Sequence, residues 1–313
     1  MTRPVSIVIP ALGDTELLSQ ALVPLVAEVE ARALSDEIIV VDDTGEDALA
    51  AWLEERFPTV RCVVREANGG FAKAFRSGVE AARSELVFSM NSDVVIRPGF
   101  LDPLVACLED AQVFAVVPRV LLDGDEERVE SLTHLKLERG MVEVVQPGLE
   151  GDRKSVLEAQ PVAFAVGGTF LFRRDEVLGM DGFDALFEPF YWEDVDLSWR
   201  AWAQGRRVLY QPSAVVEHHH RGTIGKSGKS AWVRAAIERN RLLFQWKHLD
   251  GEALGEHLSA LLRWIVDAYL ADEREELLWL NLALDDAKRA LDARAARGEP
   301  VAGFEELLAA TRS

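Results

Sequence analysis

The sequence predicts an α/β fold, with a mainly parallel sheet flanked by helices and followed by a helical C-terminal extension. Through about the first hundred residues, short apolar runs alternate with amphipathic stretches, which is the pattern of consecutive βαβ units. The apolar runs are continuous, as expected for strands buried on both faces. From about Trp232 onward the pattern is nearly all helical. We therefore divide the chain into a sheet domain over 1–230 and a helical extension over 231–313.

The N-terminal elements follow one another in strand–helix order. The first strand covers 5–9 and ends at Pro10. The helix after it, over 15–34, is expected to be interrupted or kinked at Pro24, because proline lacks the backbone N–H. The next elements are a strand over 37–41, a helix over 46–57, a strand over 61–65, a helix over 70–83 and a strand over 86–90.

The rest of the chain is less regular. The predicted strands are 114–121, a segment within 161–173 after Gly167-Gly168, 207–210 and 214–217, with a charged turn over 123–127, hairpins or loops over 129–160 and a helix over 194–204. The extension is predicted to form helices over 231–248, 255–270 and 273–296. Its Leu, Trp and Ala residues at helical spacing indicate core packing or a homodimer face.

Composition limits the classes of function. The 313 residues carry a formal net charge of -19, which disfavours general nucleic-acid binding and attraction to anionic lipid. Cys62 and Cys107 are the two cysteines, too few for a disulfide scaffold and consistent with a reducing compartment. The apolar run 5–9 is short for a signal peptide and no window is apolar enough for a transmembrane segment, so we expect neither. The expected location is the cytoplasm, with peripheral contact at the inner membrane face left open.

Polar residues follow two of the predicted strands, where ligands of such sheets bind. Asp42 and Asp43 come directly after one strand and can accept from a base N–H or a ribose hydroxyl; the alternative is a helix N-cap. The segment Asn91-Ser92-Asp93 closes another strand. A carboxylate there can hold Mg²⁺ or Mn²⁺, which in turn grips a diphosphate; the alternative is an Asx-turn.

Two acidic residues, Glu193 and Asp194, precede an amphipathic helix and follow Phe190, Tyr191 and Trp192. Aromatic neighbours can partly desolvate a carboxylate and raise its pKa toward the strength of a general base. The alternative is an acidic first turn that complements the helix dipole. That alternative explains the acidic residues but leaves the aromatic cluster unexplained.

A histidine run and a basic segment follow the predicted strand 214–217. His218, His219 and His220 are candidate metal ligands or polar surface, and structural zinc is disfavoured because no cysteine lies nearby. The segment 221–230 contains two Gly-Lys-Ser triplets, but neither has the glycine spacing of a Walker loop. A loop that closes over a nucleoside diphosphate is the preferred interpretation, and an ordinary surface loop is the alternative.

Taken in order, these segments resemble family 2 glycosyltransferases of the GT-A fold, especially the bacterial rhamnosyltransferase-like branch. The resemblance spans roughly residues 3–250 and rests on an ordered series rather than on one motif. The matching segments are Val5–Pro10, Val41–Asp43, Asn68–Ala72, Asn91–Asp93, Asp181–Arg200 and Tyr210–His218. Asn91 departs from the first Asp of many members, and residues 250–313 match no motif.

The resemblance implies an inverting transfer of a sugar from a nucleotide-diphosphate sugar to a hydroxyl acceptor. Asp194 is then the general base with Glu193 supporting it, and Asp93 holds the divalent metal, Mg²⁺ or Mn²⁺, together with His218 or His220. The residues assigned to the donor are Pro10, Asp42, Asp43, Asn68, Gly69, Lys73, Asn91 and Ser92. The implied acceptor is a saccharide or glycolipid of cell-surface polysaccharide or glycolipid synthesis.

Three other functions compete with this interpretation. A non-catalytic sugar-nucleotide-binding protein of the same fold is the main alternative, and the presence of Asp93 together with Glu193 and Asp194 argues against it. A nucleotidyltransferase is expected to carry a basic, glycine-rich loop after the first strand, and 11–14 lacks one. A nicotinamide-dependent enzyme is excluded because no Gly-x-Gly-x-x-Gly follows that strand.

Overall fold

The structure, a computed structural model, describes residues 3–151, 155–219, 231–272 and 277–312. Its N-terminal half contains the predicted alternation of strands and helices. The elements are β1 (Val5–Ala11), α1 (Thr15–Arg32), β2 (Glu37–Asp42), α2 (Ala48–Arg56), β3 (Arg61–Val64), α3 (Phe71–Ala81) and β4 (Leu86–Met90). Each agrees with its predicted range to within three residues at either end.

The second half contains more elements than the sequence pattern indicated. They are β5 (Val94–Ile96), α4 (Leu101–Cys107), β6 (Val113–Leu122), β7 (His134–Glu138), β8 (Met141–Val145), α5 (Pro147–Glu150), β9 (Gln160–Pro161), β10 (Thr169–Arg173), α6 (Arg174–Gly179), α7 (Glu193–Ala203) and β11 (Arg207–His218). The C-terminal helices are α8 (Ala231–His248), α9 (Gly251–Leu270), α10 (Leu278–Asp285), α11 (Ala287–Ala296) and α12 (Phe304–Ala310). No helix within the described ranges is long and apolar enough to cross a bilayer.

The main sheet has the strand order β3-β2-β1-β4-β10-β6-β11-β5, and β9 pairs with β11 at the side. β1 to β4 are parallel to their neighbours in this set, and β6 is parallel to β11. β10 enters antiparallel between β4 and β6, and β5 pairs antiparallel with β11. The predicted α/β class with a mainly parallel, helix-flanked sheet and C-terminal helices is confirmed, with antiparallel strands added beyond β4.

The two predictions about proline in this half need correction. β1 does not end at Pro10 but continues to Ala11, because its pairing with β4 stops at Val8 and the missing N–H breaks no bond of that ladder. Pro24 does not interrupt its helix, since α1 runs unbroken past it. Its cost of one backbone hydrogen bond is offset by burial of Leu22 and Leu25 beside it.

Two further corrections concern element boundaries near the C-terminal side. The predicted strands 207–210 and 214–217 are one strand, β11, whose register shifts between Gln211 and Val215. Such a bulge bends a strand without ending it. In the sequence it is visible only as a break in the run of apolar residues. The single helix predicted over 273–296 is divided in its described part, with α10 ending at Asp285 and α11 beginning at Ala287.

Three apolar clusters hold the layers together. Side chains of the parallel strands alternate, so that Ile7 packs toward α1, α2 and α4 while Val8 packs toward α3 and α7. The third cluster joins the β7–β8 hairpin and α7 to the C-terminal helices, with Trp199, Phe244 and Phe304 in ring contact at its centre. The C-terminal helices therefore share a core with the helix that begins at Glu193.

A buried carboxylate joins the same two helices. The Asp196 side chain of α7 has no exposed area and accepts from Lys247 Nζ at 2.6 Å, His248 Nε2 at 2.7 Å and Arg200 Nε at 2.8 Å. Burial would raise the pKa of Asp196, but Lys247, Arg200 and His248 together hold that pKa well below its usual range. Burial lowers the pKa of His248 to about 4, so that its imidazole is neutral near pH 7.

Asp196→Asn should lower the free energy of unfolding by about 3–5 kcal/mol, because Lys247 would be left as a buried cation without its closest carboxylate. Urea denaturation at pH 7 measures this. Asp292→Asn removes an i,i+4 partner of Lys288 from an exposed pair and should stay within about 0.5 kcal/mol of the wild type. Equal effects of the two substitutions would contradict the role given to Asp196.

Candidate active site

Asp43 organises the loop that follows β3. Its carboxylate accepts from the backbone N–H of Gly69 at 3.0 Å and of Gly70 at 2.8 Å, and it forms an ion pair with Arg65 at 2.7 Å. Asn68 closes the same loop, since its Oδ1 accepts from Gly70 N at 3.1 Å. Asp43 thus fixes the start of α3, and its oxygens are committed to that structure.

Asp42 keeps an oxygen available. Its Oδ1 accepts from the backbone N–H and the hydroxyl of Thr44, at 3.0 and 2.6 Å. Its Oδ2 is buried and has no hydrogen-bond partner among the described residues. A buried carboxylate oxygen without a donor is costly, so a ligand N–H or O–H bound there would satisfy it. The two aspartates, which the sequence could not tell apart, therefore have different surroundings.

The segment Gly167-Gly168 lies against the start of α7 and against the residue that follows β4. The backbone N–H of Gly167 donates to Asp194 Oδ2 at 2.8 Å. A Cβ on Gly168, whose φ is +79°, would lie 2.1 Å from Asn91 Oδ1. This short segment thus contacts both the end of β4 and the start of α7, and at Gly168 the contact leaves no room for a side chain.

Asp93 and His218 lie close together, because β5 pairs with β11 and places Val94 opposite His218. His218 Nε2 lies 3.4 Å from Asp93 Oδ1, and its Nδ1 lies 2.7 Å from Glu130 Oε2. Burial would lower the pKa of His218, but the hydrogen bonds to Asp93 and Glu130 outweigh it and raise that pKa to about 10. Glu130 was not predicted from the sequence, because it lies in an irregular segment beside the isolated bridge at Val129 and 88 positions before His218.

These residues fit a divalent cation. Asp93 and His218 offer an oxygen and a nitrogen on facing atoms, and the carboxylate of Glu130 on the other ring nitrogen is the arrangement that orients metal-bound imidazoles. Within the described ranges no group of three or more Asp, Glu, His or Cys side chains forms a complete metal site. Further ligands would come from phosphate, water or a residue outside the described ranges.

The two predicted catalytic carboxylates open α7. Asp194 accepts from Gly167 N through Oδ2 and from Val195 N, 2.8 Å away, through Oδ1, whereas the buried Oε2 of Glu193 has no partner among the described residues. Burial raises the pKa of Asp194, and burial followed by repulsion from Asp194 raises the pKa of Glu193 to about 8. Hydrogen bonds from N–H groups favour the ionised form of Asp194, so Glu193 is the member that keeps its proton near pH 7.

A side chain from the C-terminal helices holds the loop before these carboxylates. The Asn240 amide, fully buried on α8, donates to the carbonyls of Phe187, Phe190 and Tyr191 at 2.8–2.9 Å. Tyr191 and Trp192 both have positive φ, 68° and 74°, a conformation that costs about 1–2 kcal/mol per residue. Asn240 lies some fifty positions along the chain from this loop, and nothing in the sequence pattern connects the two.

Some predicted residues lie at the edges of this arrangement. Lys73 Nζ is 3.2 Å from Glu188 Oε1, which places it beside the loop before α7. Pro10 lies near the end of β1, and Ser92 lies in the turn between β4 and β5. His220 and the basic segment 221–230 lie outside the described residues.

Comparison with known proteins gives a family. The model of the family described as glycosyl transferase family 2 matches residues 6–178. The pre-mycofactocin glycosyltransferase of Mycobacterium tuberculosis is 29% identical over 227 residues, which are 70% of this chain and 43% of that protein. The N-acetylglucosaminyl-diphospho-decaprenol L-rhamnosyltransferase of Mycobacterium tuberculosis is 26% identical over 214 residues, 62% of this chain and 69% of that one.

Solved structures agree on the fold. A crystal structure of GalNAc-T7 with UDP, GalNAc and Mn²⁺ superposes with a TM-score of 0.62 at 16% identity, covering 87% of this chain and 57% of that one. At this identity the similarity establishes the GT-A-like fold alone. The chain spans less than half the length of the pre-mycofactocin relative.

Gly168→Ala should destabilise the protein more than Gly99→Ala, although both glycines have a φ of +79°. A Cβ at Gly99 meets nothing within 4 Å, so that substitution isolates the backbone cost of about 1–2 kcal/mol. At Gly168 the displaced Asn91 should add about 1–3 kcal/mol. Denaturant unfolding of both variants measures the difference, and equal losses would show that the contact with Asn91 is not tight.

Proposed function

The chain belongs to glycosyl transferase family 2, and we propose that it transfers a sugar, with inversion, from a nucleotide-diphosphate sugar to a hydroxyl of an acceptor. One observation carries this proposal. The adjacent residues Gly167 and Gly168 contact Asp194 and Asn91 respectively, so the candidate base and the strand end that would hold the diphosphate meet at one short segment. Neither the fold nor these relatives favour the non-catalytic alternative.

The donor's nucleoside is assigned to the end of β2. Asp42 Oδ2, the buried oxygen without a partner, would accept from a base N–H or a ribose hydroxyl. Asp43 acts indirectly, by fixing the loop of Asn68 and Gly69 through its backbone bonds. Pro10, Lys73, Asn91 and Ser92 complete the proposed donor site, as the family resemblance implies.

We assign the divalent metal, Mg²⁺ or Mn²⁺, to Asp93 and His218. Glu130 would fix the ring orientation of His218 through Nδ1. Such an ion, when bound, offsets negative charge on the leaving diphosphate. To ligate, His218 must give up the proton that its two carboxylate neighbours now stabilise, so metal and proton compete for Nε2.

Asp194 is the proposed general base. In a single displacement, the acceptor oxygen forms a bond to the anomeric carbon as the bond from that carbon to the diphosphate oxygen breaks, and the hydroxyl proton passes to Asp194. Two backbone N–H groups fix the orientation of its carboxylate, which is what proton transfer at a defined point requires. Glu193, by keeping its proton, limits the pair to one negative charge.

The acceptor, partners and location are proposed from chemistry and relatives. A relative named for N-acetylglucosaminyl-diphospho-decaprenol supports a saccharide or glycolipid acceptor in cell-surface synthesis, handled in the cytoplasm or at the inner membrane face. We retain a catalytic unit over 1–230 and a helical extension over 231–313. The apolar face of α9, with Leu262 65% and Val266 54% exposed, is the proposed homodimer face, and a purely monomeric species in sedimentation velocity would remove that proposal.

Asp194→Asn should lower the transfer rate by about 10²–10⁴-fold, the usual contribution of a general base, with little effect on donor binding. Glu193→Gln, which mimics the protonated partner, should retain activity to within about tenfold. Burial raises the pKa of Asp194. As the pH is lowered, wild-type activity should therefore begin to fall at a higher pH than it would with an aspartate of ordinary pKa as the base. Loss of activity in Glu193→Gln with retention in Asp194→Asn would reverse the two assignments.

Selective thermal stabilisation by one of UDP, GDP, dTDP and CDP, requiring Mn²⁺, is expected from the proposed donor site. Asp93→Ala and His218→Ala should each abolish the Mn²⁺-dependent part of the shift. His219→Ala is the control, because His219 neighbours the site on the chain but contacts Glu217 instead. If none of the four diphosphates stabilises the protein against heat, the result would count against a donor site formed by this chain alone.

A further inference from the structure

Three aromatic rings lie together beside the proposed base, and the reaction described above uses none of them. Phe190 makes edge-to-face contacts with Tyr191 and with Trp232, with ring centroids 5.4 Å apart in both pairs. Tyr191 is 41% exposed and Trp232 is 58% exposed. We call these three side chains the aromatic platform. It combines the loop before α7 with the first turn of α8.

The platform is held in place by the backbone beneath it. Asn240 binds the carbonyls of Phe190 and Tyr191, and Arg239 donates to the carbonyl of Glu188 at 3.0 Å. Successive left-handed residues at Tyr191 and Trp192 turn one ring outward while the other is buried in the third core cluster. Strained backbone held by buried donors is common where a binding surface must be formed in advance.

The position of the platform relates it to the proposed base. Tyr191 precedes Glu193 by two residues, and after burial the charges of Glu193 and Asp194 raise the pKa of the Tyr191 hydroxyl, which places that hydroxyl within their field. The platform loop runs directly into α7, whose first two residues are Glu193 and Asp194, so a group resting on Tyr191 would lie at the end of α7 that carries the proposed base. This is the acceptor side of the proposed reaction.

The surroundings indicate what rests there. Exposed rings alone would suit any apolar group, but the loop also carries the ion pair of Glu188 with Lys73, whose side chains are 40% and 54% exposed. Apolar faces rimmed by hydrogen-bonding groups match a pyranose ring, which has C–H bonds on its faces and hydroxyls at its edge. Aromatic residues with a polar edge, such as Tyr and Trp, are suited to such mixed contacts.

We propose that the aromatic platform of Phe190, Tyr191 and Trp232 binds the sugar ring of a saccharide acceptor and presents its hydroxyl to Asp194. This inference rests on the proposed glycosyl transfer and names its acceptor class as a sugar rather than a bare lipid alcohol. Asn240 is a positioning residue of the platform, since it acts through the backbone of the loop and not through the acceptor.

The test is binding of methyl glycosides of common hexoses, N-acetylhexosamines and deoxyhexoses to the full chain by saturation-transfer NMR, with UDP, GDP, dTDP or CDP and Mn²⁺ present. Wild type should bind at least one glycoside, and Tyr191→Ala and Trp232→Ala should each weaken that binding by about tenfold, a typical effect of truncating an aromatic contact. Tyr191→Leu, which keeps apolar area but lacks a ring, should also bind the glycoside weakly. Val23→Ala, at a 60% exposed valine on α1, is the control and should bind like wild type.

Calorimetry with the nucleoside diphosphates on the same samples separates the two proposals. If a diphosphate binds but no glycoside does, or if glycoside binding survives in the variant lacking both Tyr191 and Trp232 rings, the platform proposal is wrong while the transferase proposal stands. Platform-dependent binding of farnesyl phosphate without any glycoside binding would also overturn it, in favour of a lipid contact. If no diphosphate binds, the proposed function fails, and the glycoside titration still decides whether the platform binds sugars.

Discussion

The buried carboxylate of Asp196 is the interaction on which the arrangement of the proposed site depends. It binds Lys247, His248 and Arg200 at 2.6–2.8 Å and thereby ties α7, which begins with Glu193 and Asp194, to the end of α8. Breaking such a buried pair is costly because the partner charge is left without compensation. Because α8 also supplies Asn240 to the loop before α7, the contact of α7 with α8 fixes the positions of both the carboxylates and the aromatic rings. The C-terminal helices are in this sense part of the proposed site.

A second constraint is the space at Gly167 and Gly168. Asp194 contacts Gly167 and Asn91 lies close to Gly168, where the distance leaves no room for a Cβ. Because β10 begins at the next residue and pairs antiparallel with β4, the segment is anchored by the sheet rather than by the loop around it. The antiparallel strand in an otherwise parallel set is therefore what brings the end of β4 against the start of α7.

The sequence predicted the elements that repeat a local pattern and missed those made by distant pairing. β1 to β4 are continuous apolar runs, and the polar residues at their ends, including Asp42, Asn91 and Asp93, could be found by topology alone. β11 was divided in the prediction because its register shift at Gln211 looks like a gap in hydrophobicity. Glu130 and Asn240 could not be found, since their partners lie 88 and about fifty positions away along the chain. Asp196 lay within a recognised block, but its role depends on Lys247 and His248.

The charge of the molecule bears on how a diphosphate could be bound. With a formal net charge of -19, the protein must provide local positive charge for an anionic donor. Lys73 is paired with Glu188 and Arg65 with Asp43, so these two cations near the proposed donor site are largely neutralised by the protein itself. The divalent cation proposed at Asp93 and His218 would supply such charge, and the basic segment 221–230 lies outside the described residues. This balance of charge, more than the similarity of the strand ends, is the physical reason to expect that donor binding depends on metal.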